Sequence, residues 1–302
     1  MSWPPVAPPV SYIEPVFRPP SEASSLILQV TNGCSWNRCT FCEMYIDPQK
    51  KFKPKSEDRL LGEIIRCGQQ LPGVRRVFLG DGDPMVLSFR RLKTILEAIR
   101  TYMPSVTRVS TYALPANLKH KTVEELQVLR ELGLKLIYVG AESGDDEVLR
   151  CIDKGESFAT TRDGLLKAKQ AGIKTSVMLI NGLGGERMSE QHALASAQLV
   201  NAVQPDYLAT LVLFSRRGNQ RIAVGYDGDF TPLTQRQLFQ EMELFLSNLT
   251  LEKTIFRSDH ASNFLVLKGV LNRDLDALLR QLRAAIETPD RVSLRQDYQR
   301  GL

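Results

Sequence analysis

A chain of 302 residues, 43% hydrophobic and 24% charged, has ample apolar matter for a large core, and no apolar run in it reaches membrane-span length. Its formal charge of +5 is mild, compatible with an anionic substrate or nucleic acid but without the dense Lys/Arg clusters that would argue for either. Five cysteines, an odd count, and an N-terminus without a charged head and apolar core argue against a secreted disulfide framework, so a reducing, cytoplasmic setting is expected.

Seven prolines among the first twenty residues predict an extended arm over 1–24, with Tyr12 and Phe17 placed to pin it. From there strands and helices alternate. Strands are expected at 25–31, 75–80, 106–112, 135–141, 174–180 and 206–213, and helices at 57–71, 88–102, 122–132, 160–171 and 189–203. Gly133 and Gly172 fall where helix C-caps belong. Such βαβ units indicate a parallel sheet with right-handed crossovers, and six strands fit either a partial barrel or a doubly wound sheet. The rhythm stops near 215. Residues 215–233 read as a glycine-containing loop region, then come a helix at 234–248, a strand at 253–257, a loop and strand at 258–268 and a helix at 273–287. Residues 216–302 are therefore expected to form an appendage that packs on the sheet.

The segment Cys34-Ser-Trp-Asn-Arg-Cys39-Thr-Phe-Cys42 follows the first strand and spaces three cysteines C-x4-C-x2-C. Thiolates are soft ligands that suit iron–sulfur clusters and zinc. Structural zinc takes four protein ligands, and here the next cysteine is Cys67, with no histidine nearby. Three thiolates suit a [4Fe–4S] cluster with one iron left open to an exogenous ligand. The competing readings are thiols that merely fall close together, and a zinc site completed by Cys67 or Cys151. Against the second, Leu60, Ile64, Cys67 and Leu71 share one helix face, and Cys151 sits beside Val148, Leu149 and Ile152. Both extra cysteines are expected in the core.

Parallel α/β folds gather their chemistry at the C-terminal ends of strands. Gly80-Asp81-Gly82-Asp83-Pro84 follows the second strand, where glycines let backbone approach a ligand and carboxylates accept from an ammonium. A tight turn with an aspartate cap is the plainer reading. Glu142-Ser143-Gly144 ends the fourth strand, with a carboxylate suited to a ribose diol or to capping a helix. Gly182-Leu-Gly-Gly-Glu186 follows the fifth and lacks the Lys-Ser/Thr of a P-loop. Four such segments on one rim suit one large ligand. In the appendage, Arg257-Ser-Asp-His260-Ala-Ser-Asn263 is dense in polar groups. We read Asp259, His260 and Asn263 as substrate contacts, with a capped surface turn as the alternative.

These segments, with Tyr138-Val-Gly-Ala-Glu-Ser-Gly-Asp-Asp-Glu-Val-Leu-Arg-Cys-Ile-Asp-Lys-Gly155 and Met178-Leu-Ile-Asn-Gly-Leu-Gly-Gly-Glu186, resemble the radical S-adenosylmethionine (radical SAM) superfamily. The nearest likeness is to the branch of the Elongator catalytic subunit and the oxygen-independent coproporphyrinogen oxidases, over residues 25–215. The resemblance implies an α/β fold, a partial (β/α)6 TIM-like barrel of parallel strands with a C-terminal α+β appendage covering it. It also implies that Cys34, Cys39 and Cys42 bind the cluster while SAM chelates the open iron. Electron transfer to the sulfonium then gives methionine and a 5′-deoxyadenosyl radical, which abstracts hydrogen from substrate. By the same likeness Phe41 sits against the adenine, and Gly80, Asp81, Gly82 and Asp83 bind the methionine amino group. Glu142, with Ser143, binds the ribose, and Gly182, Leu213 and Phe214 line the adenine pocket. The commonest family motif is C-x3-C-x2-C, so this loop carries one extra residue and its path is expected to differ.

Two cysteines beyond the loop are too few for an auxiliary cluster such as methylthiotransferases carry. No cobalamin-binding domain is expected before residue 25, nor an acetyltransferase domain after the barrel. What remains is single-cluster hydrogen abstraction: rearrangement, oxidative decarboxylation or dehydrogenation, epimerisation or bond cleavage. Weak basic clustering favours a small-molecule substrate over RNA. A non-catalytic Fe–S or zinc protein is a third reading, opposed by the SAM-pocket segments. The implied partner is a reducing electron donor of flavodoxin or ferredoxin type.

Overall fold

The protein is described here from a computed structural model covering residues 8–301. The first seven residues of the proline-rich arm lie outside the described residues. Two compact units divide the chain. The first takes in the described residues up to Asn37, then Met44–Ile137 and Gln170–Ile173; the second takes in Arg38–Glu43, Tyr138–Lys169 and Lys174 onward.

In the first unit the elements run β1 (Leu26–Gln29), β2 (Thr31–Asn32), β3 (Lys53–Pro54), α1 (Glu57–Gln70), β4 (Arg76–Gly80), α2 (Phe89–Tyr102), β5 (Arg108–Ala113), α3 (Pro115–Lys119) and α4 (Val123–Glu131). β6 (Leu134–Glu142) begins in this unit and ends in the second. β1 pairs in parallel with β4, Gln29 opposite Gly80, and β4 pairs in parallel with β5, Leu79 opposite Thr111. Val77, Phe78 and Leu79 are buried in succession, the run expected of a parallel strand covered on both faces. Helices α1 and α2 bury Leu60, Ile64 and Cys67, and Leu92, Ile95, Leu96 and Ile99, one stripe each. Thr122 and Glu125 close a capping box at the start of α4. The arm is held against this unit. Tyr12 donates its hydroxyl to Ile27 O (2.8 Å), Gln29 pairs with both backbone groups of Ile13, and Phe17 meets Tyr45 edge-on.

The second unit continues with α5 (Asp146–Cys151), α6 (Phe158–Gln170), β7 (Lys174–Asn181), α7 (Gly185–Val203), β8 (Tyr207–Val212), α8 (Gln220–Gly225), α9 (Gln235–Ser247), β9 (Ile255–Ser258), β10 (Leu267–Val270) and α10 (Leu275–Glu287). β7 and β8 pair in parallel with Asn181 opposite Val212, and β8 and β9 are also parallel. β10 turns back antiparallel on β9. The strand order is β1-β4-β5-β6-β7-β8-β9-β10, a mostly parallel sheet of the partial TIM-like type. Among the described residues no helix is long and apolar enough to cross a membrane.

The long elements lie within a few residues of their expected places. The exception is the stretch 215–233, read from sequence as loop, which contains α8. Six residues are too few for helical periodicity to show, and α3 and α5 escaped for the same reason. Residues 216–302 also contribute β9 and β10 to the sheet itself.

Gly68 marks the closest approach of α1 to the end of α2: a Cβ there would stand 2.0 Å from the carbonyl oxygen of Tyr102. Gly68→Ala is therefore expected to lower stability by about 1–3 kcal/mol through overpacking, read as a fall in the urea midpoint. An unchanged midpoint would mean that the two helices separate at no cost.

Candidate functional site

In the first unit, the turn after β4 lies backbone against backbone on the start of the cysteine loop. Gly82 has φ +44°, and a Cβ on it would stand 2.0 Å from the carbonyl oxygen of Gly33, so only glycine fits. Asp81 is fully buried. Its carboxylate pairs with the equally buried Lys50 ammonium and accepts hydrogen bonds from the Tyr45 hydroxyl (2.7 Å) and its neighbour Gly82 N (2.9 Å). Burial, reinforced by the Asp81 charge, holds the Tyr45 phenol well above its ordinary pKa. Asp83 reaches across to the cysteine loop, accepting from Ser35 N (2.7 Å) and Ser35 Oγ (2.5 Å) and, more weakly, from Asn117 Nδ2 (3.4 Å). Burial raises the Asp83 carboxyl, and the hydrogen bonds from Ser35, Asn117 and the Cys34 thiol offset that only in part.

In the second unit, residues 38–43 carry Cys39, Phe41 and Cys42. Thr40 N donates to Ile152 O (2.9 Å), and Arg38 pairs with Asp153 (3.0 Å). Phe41 and Leu213 pack on one apolar cluster that includes Val148, Leu149, Ile180, Leu183 and Ile222. Glu142 takes a left-handed backbone, φ +64°, a conformation that costs a non-glycine residue on the order of 1–3 kcal/mol. Its carboxylate forms a 3.0 Å ion pair with Lys154, both side chains being largely buried. Ser143 is turned inward. Its hydroxyl bonds His192 Nδ1 (2.8 Å), and His192 Nε2 lies 3.0 Å from Ile180 O. Gly182 N donates to the buried Glu241 carboxylate at 2.6 Å, which also accepts from Ser189 Oγ.

The polar segment 257–263 contains a turn in which Asn263 N donates to His260 O (3.1 Å), and its residues differ in exposure. Ser262 and Asn263 are buried, and Ser262 Oγ accepts from Val212 N (3.2 Å), at the end of β8 beside Leu213. Arg295 donates to the carbonyls of His260 (2.6 Å), Asn263 (3.1 Å) and Asp259 (3.3 Å). Asp259 pairs with Lys268 at 2.9 Å. His260 Nδ1 accepts from Ser262 N, while burial and the Arg295 charge lower the imidazole pKa. Asn263 Nδ2 donates to Thr210 O (2.8 Å), and its buried Oδ1 has no partner among the described residues.

All five thiols are reduced, but they differ in setting. Cys34, Cys39 and Cys42 are partly exposed, whereas Cys67 and Cys151 are buried, as expected. Burial and the Glu63 charge push Cys67 up to about 11, and burial raises Cys151 as well. By exposure and donor chemistry the three loop cysteines are the thiols suited to a soft metal group. Among the described residues no three His, Cys, Asp or Glu side chains group as they would around one ion. Ligands of a cubane need no such convergence, because each thiolate binds a different iron.

A mostly parallel α/β sheet with three accessible cysteines in the loop after its first strands defines a class of iron–sulfur protein. The chain matches the radical SAM superfamily over residues 28–197 and belongs to it. With the family come its cofactors, a [4Fe–4S] cluster and SAM. The heme chaperone HemW of Bacillus subtilis is 24% identical over 168 residues, 54% of this chain and 44% of that protein. The coproporphyrinogen III oxidase HemN of Escherichia coli has a similar fold, with TM-score 0.55 and 18% identity over 74% of this chain and 52% of that one. So does the radical SAM methyltransferase TsrM of Kitasatospora setae, solved with cobalamin and a [4Fe–4S] cluster, at TM-score 0.51 and 19% identity over 62% of this chain and 36% of that one. The chain spans about half the length of these proteins or less. The resemblance to the coproporphyrinogen oxidase branch and the expected α/β barrel-type sheet are both borne out.

Sequence reasoning missed Lys50, Tyr45, Lys154, His192, Glu241, Glu43 and Arg221. Lys154 alone left a trace, standing inside the motif stretch that contains Glu142. Replacing Lys50 by Met should cost about 3–5 kcal/mol, since it strands the Asp81 charge in the interior. Chemical denaturation measures this, and a loss under about 1 kcal/mol, the worth of an exposed pair, would show that Asp81 reaches water.

Proposed function

We propose that this chain is a radical SAM enzyme that abstracts hydrogen from a small-molecule substrate. The observation that carries the reading is the contrast among thiols: three accessible cysteines in the loop of a radical SAM chain, two buried ones elsewhere. When bound, the cluster and SAM supply reductive cleavage of the sulfonium. Cys34, Cys39 and Cys42 hold the cluster. Asp83 orients the loop at Ser35, and Asp81, tied to Lys50 and Tyr45, fixes the turn whose backbone at Gly80 and Gly82 receives the methionine ammonium. Glu142 accepts from the ribose, its carboxylate pre-set by Lys154. Ser143 acts from behind, through His192. Phe41, Gly182 and Leu213 form the apolar seat of the adenine.

For the substrate, Asn263 is the strongest of the three candidates, because its buried Oδ1 lacks a donor among the described residues. Asp259 and neutral His260 orient the same segment. A cytoplasmic setting with a flavodoxin- or ferredoxin-type donor suits this chemistry. The names of the curated relatives, heme chaperone and oxygen-independent coproporphyrinogen III oxidase, favour a tetrapyrrole as the substrate class to try first. A Soret shift on titration with hemin or coproporphyrinogen-derived porphyrin would support that choice, and its absence would direct the search elsewhere.

After anaerobic reconstitution the protein should bind iron and sulfide as one cluster and release 5′-deoxyadenosine from SAM with dithionite. Alanine at Cys34, Cys39 or Cys42 should abolish most of the incorporation, whereas Cys67→Ala and Cys151→Ala should not. Zinc without sulfide would defeat the reading. Glu142→Ala should weaken SAM binding by about 1–3 kcal/mol, the cost of a charge-assisted hydrogen bond, measured by calorimetry. Asn263→Ala should spare 5′-deoxyadenosine formation and reduce turnover of the true substrate.

A further inference from the structure

We propose that Arg221 sets the reduction potential of the cluster, with Glu43 as its opposing charge. The inference rests on the reading of Cys34, Cys39 and Cys42 as ligands and goes beyond it, to a segment outside the family match at 28–197.

Residues 215–225 grip the cysteine loop within the second unit at two points. Arg221 donates Nη1 to the carbonyl of Cys42 (2.9 Å) and Nη2 to that of Cys39 (3.3 Å). The amide of Cys42 also donates to the Cys39 carbonyl (3.2 Å), so the guanidinium completes a closed turn between two ligand residues. The Glu43 carboxylate, next in chain to Cys42, accepts from Ser215 Oγ (2.7 Å), Arg216 N (3.2 Å) and Arg217 N (3.2 Å).

Arg221 stands on a fixed base. Its neighbour Ile222 and nearby Tyr226 are buried in the apolar cluster against which Phe41 packs, and the Tyr226 hydroxyl donates to Leu183 O (2.5 Å). A Cβ on Gly225 would stand 1.7 Å from the carbonyl oxygen of Cys151, so α8 lies directly on α5. The guanidinium is therefore a permanent positive charge at a set place beside two ligand residues, and its planar fork is what spans both carbonyls.

Reduction adds one electron and one negative charge to a cluster already surrounded by thiolates. A fixed cation beside it favours the reduced form and raises the potential, and a fixed anion does the reverse. Bracing the loop would need only a donor. The charge is what separates a tuning role from a brace, and Arg221 acts by that charge, without touching substrate.

The full chain is reconstituted anaerobically, assayed for iron and sulfide, and titrated with EPR detection of the reduced cluster. Arg221→Gln should keep the cluster and lower its midpoint potential. Arg221→Lys should restore the wild-type value, and Glu43→Gln should shift it upward. If Arg221→Gln matches wild type, or loses cluster while the remainder titrates at the wild-type potential, Arg221 is only a brace and the proposal falls. Should Arg221→Gln fail to fold, as judged by its thermal melt, the Glu43→Gln shift decides, and no upward shift overturns the proposal. Failure of the underlying ligand reading is recognised separately: the cysteine variants would then take up as much iron and sulfide as wild type.

Discussion

Parallel pairing is the constraint from which the site follows. A parallel strand cannot be reached by a hairpin, so each pair requires a crossover, and the turns that follow paired strands come out on the same side. In the first unit this sets the start of the cysteine loop beside the turn after β4, closely enough that Gly82 tolerates no side chain. In the second unit it sets Gly182 beside Leu213, with Leu213 N bonded to Asn181 O at 2.9 Å. Hydrogen bonding of the strands thus gathers residues distant in sequence before any side chain has acted.

Side-chain charges then fix the shape of those turns. A carboxylate taken out of water is stable only with a partner, and the buried acids here are paired. Asp81 has Lys50 and Tyr45, Glu241 has Gly182 N and Ser189, and Glu142 has Lys154. In each case the acid or its partner stands at the end of a strand or on the turn that follows it. The backbone left facing outward is accordingly rigid, the condition under which amides and carbonyls orient a ligand without reorganising.

The same division separates what was legible in the sequence from what was not. Long elements announced themselves through period: the stripe Leu60, Ile64, Cys67 and the apolar run Val77–Leu79 are visible in the letters. The cysteine loop was equally legible, because three soft ligands crowded into nine residues of a reduced chain make chemical sense chiefly around a metal group. Asp81 and Ser143 were seen as ligand contacts, yet one closes a buried ion pair and the other bonds an inward-facing histidine. Nothing local distinguishes an acid that faces a ligand from one that faces Lys50, 31 positions away. α8 was illegible for another reason: its six residues are placed by burial of Ile222 and Tyr226, not by a pattern of their own.

The match to the family ends at residue 197, before β8. Most of the frame that holds the turns, from β1 to α7, lies within that stretch, which is why identities of 24% and below suffice to recover the fold. Leu213, Arg221 and Asn263 lie beyond it, as does the segment that Arg295 binds through three carbonyls. These residues sit on α8 or on the loops that follow β8 and β9, places free to vary without disturbing the parallel core. Two chains can therefore share the frame and differ in α8 and in the loops that follow β8 and β9. What sets this chain apart from its relatives is accordingly to be sought first beyond residue 197, where the family match no longer constrains the sequence.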